Sequence, residues 1–150
     1  MLIEARPATD PELQTLLLAG QQELNAVDGE RDRAVFTLHD DVAYLVVVVQ
    51  GRAVACGGWQ ALGPGSAELK RMYVRPAHRN RGIARQLIVA LEEEALASGR
   101  PLLRLAAGAS LPAAVALCRS AGYERIPAYG EHTADPYSVC FEKSLVAVAH

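Results

Sequence analysis

The chain has 150 residues, 51% of them apolar, and a formal net charge of −2. That length carries one ordinary domain with a substantial core, and that composition excludes a disordered chain. Positive charge is local to one turn, which excludes a nucleic-acid-binding face, and the longest unbroken apolar run, residues 42–49, is far too short to span a membrane as a helix.

Residues 2–6 alternate weakly and stop at Pro7, which predicts a short first strand. Thr9 or Asp10 can cap a helix with Pro11 in its first turn and Leu13, Leu16, Leu17 and Leu24 as its apolar stripe. Residues 25–41, with Asp28-Gly29 and Asp40-Asp41, read as irregular structure or a short helix. They border an acceptor site or form an exposed connection. A β-branched run over 43–49 and an apolar segment over 52–60 meet at Gln50-Gly51, a hairpin signal. Gly57-Gly58 within the second strand predicts a bulge or a close backbone approach. Gly63-Pro64-Gly65 then turns the chain into a third antiparallel strand over 67–74. Its apolar phase changes midway. Ala67 and Leu69 share one parity, Met72 and Val74 the other, so an extra residue bulges near Lys70-Arg71.

A helix follows an arginine-rich turn. Ala84, Leu87, Ile88, Leu91 and Ala95 form its apolar stripe, with Arg85, Gln86, Glu92 and Glu93 largely off it, and Ser98-Gly99 ends it ahead of Pro101. Its charges run against the helix dipole. Arg79, Arg81 and Arg85 crowd the start and Glu92, Glu93 and Glu94 lie toward the end, an order disfavoured by a few tenths to about 1 kcal/mol per charge. No Ser, Thr or Asp caps the start. A bound phosphate relieves both faults, because it meets the unpaired N–H groups and the arginines together. On charge alone, a solvated basic turn is the other reading. Gly82, followed two places on by Ala84, leaves the main chain open to a close ligand.

Residues 101–106 predict a buried strand and 111–121 a helix with Pro112 in its first turn and Gly122 at its end. Two last strands cover 123–126 and 138–145. The polar loop between them, 127–137, holds Tyr129, Glu131, His132, Asp135, Pro136 and Tyr137 and reads as an acceptor-binding edge or an exposed connection.

The hexapeptide Arg79-Asn80-Arg81-Gly82-Ile83-Ala84 resembles the pyrophosphate-binding signature of the GCN5-related N-acetyltransferase (GNAT) family. Its context strengthens the resemblance: a strand ending in Met72-Tyr73-Val74 precedes it, with Arg75-Pro76 making the turn. The run from Leu111 to Tyr123 is similar to the family's second signature, and Asp135-Pro136-Tyr137-Ser138 leading to Phe141-Glu142-Lys143 resembles the carboxy end of a bacterial subgroup. The resemblance therefore extends from about Leu2 to Leu145. It implies an α/β (α+β) fold: one N-acetyltransferase domain over 1–150, with a mixed, mostly antiparallel sheet of about seven strands and about four helices. Its fourth and fifth strands splay to admit acetyl-coenzyme A as co-substrate. Main-chain groups of Met72, Tyr73 and Val74 would pair with the pantetheine arm. Arg79, Asn80, Arg81, Gly82, Ile83, Ala84 and Arg85 would hold the diphosphate, and an N–H near Met72 would stabilise an oxyanion.

Two positions depart from the family pattern. Leu111 stands where a polar residue commonly touches the cofactor. Cys118 stands where a Tyr often protonates the leaving thiolate. A thiol with an ordinary pKa of about 8.5 can serve as that acid, and it can equally be a buried core residue. Water, Tyr129 and Tyr137 are the other candidates; both tyrosines are also placed at the acceptor.

An attacking amine must be neutral, so a base is useful. The resemblance puts Glu68 in that role, at the start of the splayed strand, where burial would raise its pKa toward working pH. A glutamate paired with Lys70 or Arg71 is the plainer reading. The reaction implied is direct acetyl transfer to a small-molecule or peptide amine. A domain that only binds and reports acetyl-coenzyme A, and a turn that takes another phosphorylated ligand, are the alternatives. His39, His78, His132 and His150 lack metal-ligand spacing, so no metal is expected. No GxSxG or GxxxxGK[ST] motif is present. The absence of a basic-apolar leader after Met1, and three scattered cysteines (Cys56, Cys118, Cys140) without CxxC spacing, point to the cytoplasm. The mostly apolar tail 145–149 could pack against a second copy.

Overall fold

The computed structural model describes residues 1–28, 41–108, 111–136 and 138–145. Among the described residues seven strands form one sheet: β1 (Leu2–Arg6), β2 (Val42–Val49), β3 (Arg52–Ala61), β4 (Ser66–Val74), β5 (Leu102–Gly108), β6 (Glu124–Ile126) and β7 (Ser138–Ser144). Their order is β1-β2-β3-β4-β5-β7-β6, and β4–β5 is the parallel pair among antiparallel neighbours. Three α-helices lie among the described residues, α1 (Pro11–Asp28), α2 (Ile83–Ala97) and α3 (Pro112–Ser120), with 3-10 turns over Pro76–His78 and Gly130–Ala134. The mixed sheet expected from the sequence is present. Most of 25–41, whose structure the sequence left open, lies outside the described residues, as do Tyr137 and 146–150 of the tail.

The continuous apolar run of β2 follows from its place in the sheet. Val42, Tyr44 and Val46 pack against Leu13, Leu16 and Leu17 of α1 on one face, while Leu45 and Val47 meet Leu87, Ile88 and Leu91 of α2 on the other. Asp10 caps α1, its Oδ2 accepting from Leu13 N at 2.9 Å. Gln50 and Gly51 both have positive φ, 51° and 77°, as a two-residue hairpin turn that matches strand twist requires. The end of α2 falls at Ser98-Gly99, where Gly99 N donates to Leu96 O and Arg100 N to Ala95 O, each at 2.9 Å.

The bulge belongs to β4. Between the pairs Cys56↔Tyr73 and Gly58↔Lys70, β4 takes three steps and β3 two, and Arg71 has φ 55°. The glycine pair in β3 serves close approach: a Cβ on Gly58 would sit 2.6 Å from Val42 Cγ1. One expectation is corrected. Glu92 is buried, not off the stripe, because Tyr123 Oη donates to it at 2.7 Å and Lys143 Nζ lies 3.1 Å away.

Candidate active site

The slot between β4 and β5 comes from where their pairing stops. The two strands are bonded from Ser66↔Leu102 to Leu69↔Leu105, after which β4 continues to Val74 and β5 to Gly108. Each keeps its outer neighbour, Tyr73 opposite Cys56 and Gly108 opposite Ser138. Met72, Tyr73 and Val74 therefore lie along one wall of a wedge, with the Arg71 bulge at its turning point.

Beyond Val74 the chain makes the 3-10 turn, Asn80 takes φ 63°, and Gly82 takes φ 75° as the residue before α2. Among the described residues no side chain caps the helix, and its first backbone bond runs from Gln86 N to Gly82 O at 3.1 Å. The N–H groups of Ile83, Ala84 and Arg85 are thus left without helical acceptors. Ile83 anchors its side chain in the core, Arg81 and Arg85 are exposed, and none of the described residues lies within 4 Å of where a Gly82 Cβ would be. An open wedge leading to uncapped amides beside two arginines fits the pantetheine arm and diphosphate of an acyl-coenzyme A.

Arg79 is held differently from its neighbours. Its Nη2 donates to Glu23 Oε2 of α1 at 2.6 Å, its Nε donates to Val74 O at 2.9 Å, and its guanidinium lies over the Tyr73 ring. Arg81 and Arg85 are exposed and form no ion pair among the described residues.

At the narrow end of the wedge stands Glu68, 4% exposed, one residue before the last β4–β5 pair. Gln60, Glu68, Arg104 and Glu142 are in register across β3, β4, β5 and β7, so their side chains share one face of the sheet. Tyr129 Oη donates to Glu68 Oε2, His132 Nε2 lies 2.9 Å from the same oxygen, and Lys70 Nζ is 3.1 Å from Oε1. The 3-10 turn delivers both loop residues to the carboxylate, with His132 N bonded to Tyr129 O at 3.0 Å. Arg104 pairs with Glu142 at 2.8 Å and lies over the Tyr129 ring.

This surrounding overturns the pKa expected for Glu68. Burial alone would raise it, but the bonds from His132 and Tyr129 and the Lys70 charge outweigh burial and hold the carboxyl down to about 2. The bond to Glu68 raises His132 above its usual value, and burial with the same partner raises Tyr129. Glu68, Glu131 and His132 bring one ligand atom each within 4.8 Å of one another, an arrangement open to a cation. The Lys70 ammonium already stands there, 3.1 Å from Glu68 and 3.7 Å from Glu131.

Cys118 lies in the core, 5% exposed among Leu103, Leu105, Tyr123 and Phe141. Burial pushes its thiol up to about 11. Giving that proton to an alkyl thiolate of ordinary pKa, about 8.5, runs uphill, so the structure favours packing for this residue. Leu111 precedes α3 and caps it with no side-chain bond.

Sequence reasoning gave Glu68 the role of base and put Tyr129 and His132 in a loop read as an acceptor-binding edge or an exposed connection, but it did not join them, and it gave Arg104 no role. Their contacts to Glu68 and Glu142 span tens of residues, which local periodicity does not report. The one local signal is the three-residue spacing of Tyr129 and His132, which a 3-10 turn brings to one side.

The sequence model described as "Acetyltransferase (GNAT) family" matches residues 11–123. The chain belongs to the GNAT acetyltransferase family. Its similarity to an IAA acetyltransferase of Azospirillum brasilense is 35% identity over 106 residues, covering 70% of this chain and 69% of that one. A crystal structure from Klebsiella pneumoniae subsp. pneumoniae MGH 78578, of a candidate acyl-CoA N-acyltransferase, superposes with TM-score 0.83 at 32% identity over 97% of both chains. A GNAT acetyltransferase from Elizabethkingia anophelis with acetyl-CoA bound shares the fold, with TM-score 0.73 at 15% identity over 96% of this chain and 97% of that one. As a GNAT acetyltransferase the chain is an acyltransferase using acetyl-CoA. The matched segment ends at Tyr123, so Tyr129 and His132 lie beyond the part by which the family is recognised.

Proposed function

We propose that this GNAT acetyltransferase moves the acetyl group of acetyl-CoA directly to a primary amine of a small molecule or peptide, both substrates being bound together. The observation that carries this reading is the Glu68, Tyr129 and His132 cluster at the point where β4 and β5 part. An anionic, buried carboxylate with two loop donors there supplies a polar, partly water-excluded place for an amine beside the slot. Acetyl-CoA brings the activated thioester; the chain binds and orients it. Main-chain groups of Met72, Tyr73 and Val74 hold the pantetheine arm as a strand would, and an N–H near Met72 faces the developing oxyanion. The amides of Gly82, Ile83, Ala84 and Arg85, with Arg81 and Asn80, take the diphosphate, while Arg79 braces the turn against α1. Tyr129 borders the acceptor. Three buried free cysteines suit a reducing cytoplasm.

The test is to incubate the protein with acetyl-CoA and a panel of primary amines while following free thiol, with mass analysis of the amine. The expected result is thiol release above hydrolysis for at least one amine, matched mole for mole by an N-acetyl product. Binding of acetyl-CoA without release by any amine would point instead to a domain that only senses it.

A further inference from the structure

His132 is fixed in one orientation by a residue that has no proton to give. Glu68 Oε2 accepts from Tyr129 Oη and Oε1 faces Lys70 Nζ, so the carboxylate acts only as an acceptor toward the imidazole 2.9 Å away. In the neutral imidazole the hydrogen between them therefore sits on Nε2, and Nδ1 carries the lone pair. Among the described residues no group bonds to Nδ1, and it is not one of the buried polar atoms left unpartnered. The side chain is 18% exposed, enough to be reached and shielded enough to be held.

We propose that His132 is the general base of the acetyl transfer and Glu68 the positioning residue that fixes its ring and tautomer, an assignment that rests on the amine-acetylating reading above. Glu68 lies opposite Arg104, and Leu69↔Leu105 is the last pair before the slot opens, so the dyad stands at the slot's inner end. The charged and titratable groups facing His132 are Glu68 and Lys70 from β4, Glu131 at 3.9 Å from its own turn, and the Tyr129 ring, edge-on at 5.2 Å and itself covered by Arg104 of β5. The carboxylates stabilise the imidazolium that proton uptake creates.

The proton balance closes on this residue. His132 takes at Nδ1 the proton shed by the amine nitrogen as that nitrogen bonds the acyl carbon. It then returns the proton to the sulfur that departs with the carbon–sulfur electron pair. One amine and one thioester become one amide and one thiol, with the imidazole neutral again. The same group thus supplies the acid at a site where Cys118 stands in place of the usual tyrosine.

His132→Gln retains a side chain able to donate to Glu68 and removes the base. With the best amine from the panel, kcat should fall roughly 10²- to 10⁴-fold, with KM for acetyl-CoA changing less than about twofold and the low-pH limb of the kcat profile lost. Independently of turnover, the imidazole NMR titration of His132, assigned by its disappearance in His132→Gln, should have a midpoint above about 6.5 that drops in Glu68→Gln. Wild-type kcat in His132→Gln, or a midpoint unmoved by Glu68→Gln, overturns the proposal alone. If no amine of the panel makes the wild-type protein release thiol above hydrolysis, the functional reading is overturned, and the proposal falls with it.

Discussion

Tyr123 Oη donates to Glu92 Oε2 across 2.7 Å in the interior, and Lys143 Nζ approaches the same oxygen at 3.1 Å. The three side chains tie α2 to the residue just before β6 and to β7, and Lys143 also donates to Ala121 O at 2.9 Å. A carboxylate in the middle of an apolar stripe is tolerated only while it is paired. Lys143→Met should therefore lower stability by about 3 kcal/mol, more than Tyr123→Phe at about 2 kcal/mol. Urea unfolding curves for the two variants decide the order; a Lys143→Met protein as stable as the wild type would mean that the pair is dispensable.

Glu68 gives a pH signature at the acid end. Its carboxyl is held at about 2 in the folded chain against 4.5 for the free group, so the unfolded state binds the proton more readily. The stabilisation is fully present above pH 4.5 and is lost as pH falls through about 2. For a nearly buried group this amounts to about 3 kcal/mol. The urea midpoint of the wild type should drop more steeply than that of Glu68→Gln between about pH 5 and pH 2.5. Parallel curves would place the partners of Glu68 elsewhere. His132 behaves oppositely: its contribution is complete below about 6.5 and fades as pH rises through its raised value.

The arginines of the turn should separate by role. Arg81→Ala is expected to weaken acetyl-CoA binding about tenfold at low salt, and less at high salt, because an exposed guanidinium facing a diphosphate is screened. Arg79→Ala should instead cost up to about 1 kcal/mol of stability, since its pair with Glu23 is 38% and 41% exposed. Calorimetric titration and thermal unfolding on both variants give the comparison. Equal affinity losses would put Arg79 on the diphosphate as well.

Cys118→Ala tests the departure from the family pattern. If the thiol only packs, kcat stays within about twofold while stability falls by about 1 kcal/mol. A fall in kcat of about tenfold or more, at unchanged KM, would restore the thiol as proton donor.

Much of the fold was legible because its causes are local. The hairpin at Gln50-Gly51, the phase change at Lys70-Arg71, the Gly99 stop and the uncapped start of α2 each depend on residues a few places apart. The wedge was legible through the resemblance and the β4 bulge. What was not legible arises from contacts distant in sequence. Glu92 reads as a surface residue until Tyr123 and Lys143 arrive from later elements. Burial predicts a raised pKa for Glu68, and only the loop donors reverse the sign. The partners of Arg79 and the core position of Cys118 likewise become visible only when α1 and the far strands are in place.

The four pairs from Ser66↔Leu102 to Leu69↔Leu105 are the whole of the direct strand pairing between β4 and β5. In mechanical terms the sheet is two ribbons stapled at one end, four strands in one and three in the other. A molecule that lies between the free ends and bonds to both completes the missing rungs, and while it stays the two ribbons are a single sheet.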